Sequence, residues 1–116
     1  MVTTIENSGQ TSLTTDERLE RLARLERLGL TSSLVAITID KLYEHEVTEA
    51  QIQLKQLEAD IADFETQYEM HSELFYQRFQ DGKMGDEMDY IEWSSLIQMA
   101  NNLRSRLDLL TREKES

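Results

Sequence analysis

The sequence predicts an all-α chain, a three-helix zigzag in which one long central helix forms an antiparallel coiled-coil hairpin with the last helix. Three observations carry that prediction. The 116 residues contain no proline and only four glycines, so few positions can interrupt a helix. Tyr43, Val47, Ala50, Leu54, Leu57, Ile61, Phe64, Tyr68, His71 and Phe75 follow one another at alternating spacings of four and three, which is a heptad seam. Charged residues reach 30% and hydrophobic ones only 39%, a balance that suits long solvated helices better than a thick core.

The elements follow in order. Residues 1–14 are polar and lack periodicity, so they are expected to be a disordered tail. A single helical coiled-coil domain is expected over 15–112, with a short tail at 113–116. Thr14 or Thr15 supplies an N-cap hydroxyl, Asp16 and Glu17 occupy the dipole-favoured first turn, and Gly29 offers a left-handed stop, giving a helix over about 15–28. Within it, the repeat RLE RLA RLE RLG places leucines at 19, 22, 25 and 28. Steps of three residues drift about 60° backwards on an α-helix, so Leu28 ends opposite Leu19.

From Leu34 to Ile39 the pattern is ambiguous, because Val35, Ile37 and Ile39 alternate like a strand while Ser32 or Ser33 can cap a helix. Helix is favoured, since the heptad seam follows directly. No glycine or proline falls between residues 30 and 81, which allows one helix of nearly fifty residues, about 70 Å long. Gly82 then provides a helix stop and Asp86 an N-cap for a last helix ending near Thr111. Its seam of Trp93, Leu96, Ala100, Leu103, Leu107 and Leu110 sets Trp93 against Phe75, Ala100 against Tyr68, Leu103 against Phe64 and Leu110 against Leu57 in a folded-back hairpin. The first helix is expected to cover the other end, from Leu34 to Val47. Such a layer is mostly two helices thick and leaves Ile52, Phe79 and Met99 needing cover, so the chain is expected to form a homodimer or higher oligomer, or to bind another protein.

The net charge of −11 is concentrated. Between residues 40 and 92 stand fifteen acids and four bases, while acids and bases balance elsewhere. That surface repels nucleic acid and anionic membranes and attracts a basic partner. No apolar run approaches the roughly 18 residues of a membrane span, and residues 1–14 do not resemble a signal peptide. A cytoplasmic location is the expectation.

Chemistry finds little footing. There is no cysteine, hence no disulfide or thiolate site. His45 and His71 are the only histidines, too far apart on one helix to share a metal. The run from His45 to Glu49 begins like a zincin motif but has Glu where the second His must stand. The window Asp81 to Glu92 has acids at both ends, as a calcium loop does, with Lys83, Gly85 and Asp86 at the wrong positions. No nucleotide or nucleophile fingerprint is present. The chain is therefore expected to be no enzyme and to use no cofactor, with His71 a polar register device on the seam. Arg18, Arg21, Arg24 and Arg27 are candidates for a phosphate backbone, but Asp16, Glu17, Glu20 and Glu26 cancel them, and pairs such as Glu17 with Arg21 account for them. If Leu34 to Ile39 were a strand, a ribbon-type DNA reader would gain ground.

The segment Phe75-Tyr76-Gln77-Arg78-Phe79-Gln80-Asp81-Gly82-Lys83-Met84-Gly85-Asp86, followed by Asp89, Glu92 and Trp93, is less generic. It resembles a motif of small helical prokaryotic proteins, frequent in cyanobacteria, that look like the antitoxin halves of type II toxin–antitoxin pairs. Their pattern is F-Y-x-R-F-x-x-G leading into G-D-x-x-D and E-W, typically with Glu-Leu between the glycines where this chain has Lys83-Met84. The resemblance covers about residues 68 to 100. It implies that the chain binds and neutralises a basic, RNase-type toxin, with Phe75, Tyr76, Arg78, Phe79, Gly82, Gly85, Asp86, Asp89, Glu92 and Trp93 as partner-binding residues. A structural coiled-coil adaptor that only dimerises, and a DNA-binding repressor acting through residues 15–41, stand as alternatives.

Overall fold

The computed structural model describes residues 12–112, so the tail expectations for residues 1–11 and 113–116 lie outside the described residues. Four helices are present among them, α1 (Thr15–Arg27), α2 (Ser33–Tyr68), α3 (Ser72–Gln80) and α4 (Met88–Thr111), with no strand. The described residues divide into two compact units, one up to Leu42 and the other from Tyr43 onward.

The first unit holds α1 and the opening turns of α2. Thr14 and Glu17 form a reciprocal capping box, Glu17 N donating to Thr14 Oγ1 at 3.0 Å and Thr14 N to Glu17 Oε1 at 2.9 Å. That use of the Glu17 carboxylate replaces the expected pairing with Arg21. At the other end Gly29 sits at φ 70, and the amides of Gly29 and Leu30 reach back to the carbonyls of Glu26 and Leu25, a Schellman stop that needs the left-handed conformation. Ser32 Oγ accepts from Val35 N at 3.4 Å, so the ambiguous Leu34 to Ile39 segment is helical and the ribbon alternative falls. One expectation fails here. No residue of α1 is buried, and Leu34, Ile37 and Leu42 remain exposed, so α1 does not cover the start of α2. Leu19, Leu22 and Leu25 share one side of α1, within about 120° of arc, and that apolar side stays exposed.

In the second unit α2 and α4 form the antiparallel helical hairpin. Ala50, Leu57, Ile61, Ala100 and Leu103 make the buried core, with Leu54, Leu96, Ile97 and Leu107 packed around it. These are seam positions, apart from Ile97. The register, however, differs from the expected one. Phe64 lies against Trp93 rather than Leu103, Tyr68 bonds Asp89 and packs on Tyr90 rather than Ala100, and Tyr43 donates to the Leu110 carbonyl at 2.7 Å. The last helix is thus slid by about three turns and reaches Tyr43, well past Leu57.

The slide has a local cause. The expected fifty-residue helix stops at Tyr68, where Glu69 adopts φ 50 and Met70 N bonds Glu65 O at 3.2 Å. This is the long-range bond of a Schellman stop with glutamate in the glycine position. His71 is the exposed N-cap of α3 rather than a seam residue, and it makes no side-chain cap bond. Glu65 fills that role, its Oε2 accepting from Ser72 N at 2.8 Å. The expected Gly82 stop holds, at φ 74 with Lys83 N on Arg78 O. The N-cap of α4 is Glu87 rather than Asp86.

Candidate functional site

The motif segment builds the end of the second unit. Phe75 and Trp93 are fully buried and stack face to face, centroids 3.8 Å apart and planes within 3°. Phe64 and Phe79 extend that stack from either side. The indole is held by its polar edge, Trp93 Nε1 donating to Ser72 Oγ at 2.9 Å, the partner a buried tryptophan needs. Tyr68 donates to Asp89, and Gln67 Nε2 lies 3.4 Å from the same carboxylate oxygen. The Tyr68 hydroxyl is pushed up to about 12, first by that hydrogen bond, then by desolvation and the negative charge of Asp89.

The ten expected partner-binding residues therefore divide. Phe75 and Trp93 are core and offer no surface to a partner, while Asp89 is engaged by Tyr68. Gly82 and Gly85, at φ 74 and 85, shape the turn. Tyr76 and Phe79 are half-buried, whereas Arg78, Asp86 and Glu92 are exposed. The motif spacing is thus mostly the signature of a packed helical corner, with its outer residues left on the surface.

Beside that corner, the three helices of the second unit leave a groove of about 700 Å³. Ile61 of α2, Tyr76 of α3 and Ile97 of α4 give it an apolar floor. Glu58, Glu65 and Glu73 stand along it as acids, with Arg104 the one base. Arg104 Nη2 bonds Glu58 Oε2 at 3.0 Å, an exposed pair of the kind worth at most about 1 kcal/mol. Gln98 Nε2 donates to the Tyr76 hydroxyl at 3.1 Å. Sequence reasoning missed Glu58, Glu73, Asn101 and Arg104. A signal did exist for three of them, since Glu58, Asn101 and Arg104 directly follow the seam residues Leu57, Ala100 and Leu103 and so flank the contact. For Glu73 there was none, because its placement follows from the break at Glu69.

The four arginines of α1 wind through half the helix circumference, stepping about 60° each, so they do not form a single phosphate-facing stripe. No group of three or more His, Cys, Asp or Glu side chains among the described residues is arranged to hold a metal ion. No helix among them is long and apolar enough to cross a membrane. Comparison with protein-family models, with curated proteins and with solved structures finds no match.

Proposed function

We propose that this chain is an antitoxin-like binding protein that captures a basic, RNase-type protein on its second unit and neutralises it without chemistry of its own. The observation that carries the reading is the division of charge. Residues 43–112 hold fifteen acids against six bases, a net of −9, whereas residues 12–42 hold five of each. An acidic surface with an apolar-floored groove suits a cationic partner segment that carries aliphatic or aromatic side chains between its charges. The acids accelerate encounter and the floor slows release. Tyr76 belongs both to that groove and to the motif that resembles antitoxins, and Arg78, Asp86 and Glu92 stand exposed in the same motif.

The test is co-expression of the adjacent gene with and without this one, followed by association kinetics on the purified pair. The neighbour is expected to be toxic alone and harmless in company. Glu58→Gln with Glu73→Gln is expected to slow association roughly tenfold at low salt and to flatten its salt dependence. A harmless neighbour, or a double variant that associates at the wild-type rate, defeats the reading.

A further inference from the structure

The first unit presents a different surface, and it points to a different occupant. Nine large aliphatic side chains between Leu19 and Leu42 are exposed, among them Leu28 at 63%, Leu30 at 67% and Leu34 at 73%. A helix of 13 residues such as α1, with no buried residue, is too short to be stable in water by itself. Something must cover it.

We infer that residues 15–42 form an interface between two copies of this chain. Charge selects the occupant. The second unit carries the net −9 that attracts a cationic protein and repels a copy of itself, whereas residues 12–42 are neutral, so two copies can meet there without like-charge repulsion. A neutral, aliphatic surface is the composition of a homodimer core, with charged side chains at its rim. Area agrees. Eight such side chains at roughly 100 Å² each reach the ~800 Å² that each partner of a stable interface buries. The exposed side of α1 formed by Leu19, Leu22 and Leu25 fits as well, because α1 and the start of α2 from each copy can form a four-helix layer that encloses it. Twofold symmetry makes every such residue count twice.

This inference does not rest on the toxin reading, and its salt dependence has the opposite sense. Sedimentation equilibrium on the full chain from 1 to 200 µM is expected to give twice the monomer mass of 13.6 kDa, with dissociation no easier in roughly 500 mM salt than in 50 mM. Leu25→Asp with Leu34→Asp is expected to weaken the dimer at least 100-fold, while Leu109→Asp, a 74% exposed leucine of α4, leaves it unchanged. Because neither Leu25 nor Leu34 is buried, the near-ultraviolet spectrum of Trp93 reports whether the second unit stays folded in the double variant. Amides of α1 are expected to exchange faster on dilution. A monomer at 200 µM, a dimer that salt dissolves, or one that Leu109→Asp breaks and the double variant does not, overturns the proposal.

Discussion

Both units of this chain are built from leucine-rich helices, yet only one of them has an interior. In the second, seam residues repeat at three and four, stay on one face of α2, and meet the matching face of α4 in a core of Ala50, Leu57, Ile61, Ala100 and Leu103. In the first, Leu19, Leu22 and Leu25 share one side of α1, within about 120° of arc, and bury nothing. Residues 1–42 hold eight leucines and residues 43–116 another eight, so the number of leucines does not decide burial. Burial therefore follows from whether an apolar face meets a matching one: the seam of α2 finds it on α4, whereas the apolar side of α1 needs a partner from outside.

Removing one large side chain from each unit has very different expected costs. Trp93→Ala deletes the centre of the aromatic stack and is expected to cost about 3–5 kcal/mol of unfolding free energy. Leu25→Ala, at a site 41% exposed, is expected to change it by no more than about 0.5 kcal/mol under dilute conditions. Chemical denaturation followed by Trp93 fluorescence suits Leu25→Ala, and circular dichroism suits Trp93→Ala. Equal losses in the two variants refute the division into a unit with a buried core and a unit without one.

The same comparison shows what the sequence made legible. The seam named the core, because alternation of three and four admits one buried face. Thr14, Gly29 and Gly82 marked helix ends, because an N-cap hydroxyl and a left-handed stop each ask for particular residue types. The register was not legible. A heptad seam slid by about three turns still presents apolar residues to apolar residues, so pattern alone does not choose between Tyr68 facing Ala100 and Tyr68 facing Tyr90. The choice was made at Glu69, where a glutamate holds the conformation normally left to glycine, and no composition signal announces that. The groove is a consequence of the same break, since α3 is free to lie on α4 only once α2 has ended.

Two substitutions where α2 ends are expected to have effects of opposite sign. Glu65→Ala removes the carboxylate that accepts from Ser72 N and stands in for a missing cap, and a loss of about 1 kcal/mol is expected. Glu69→Gly relieves the left-handed strain at φ 50 and is expected to stabilise by about 0.5 kcal/mol, the relief being partly offset by the greater freedom of glycine in the unfolded chain. Thermal melts of both variants against wild type decide the matter. Should Glu69→Gly destabilise, the stop at Tyr68 is maintained by contacts of the glutamate side chain rather than tolerated despite its backbone.

The smallest effect is expected at the Tyr68 and Asp89 pair, which ties the end of α2 to the first turn of α4. In the folded chain the Tyr68 hydroxyl is raised to about 12, above the value near 10 that an unfolded tyrosine has. The folded state thus holds this proton more tightly than the unfolded one does. Its contribution is fully present below about pH 10 and is lost as the pH rises through 10 towards 12. Tyr68→Phe keeps the ring against Tyr90 and Trp93 and removes only the hydroxyl, so the other titrating groups cancel between variant and wild type. Wild type is expected to be slightly the more stable at pH 8, with the gap closing by pH 12. Denaturation midpoints for both proteins across that range give the difference directly. A gap that stays constant with pH shows that the hydroxyl donates nothing to Asp89, and that stacking on Trp93 alone fixes the two helices.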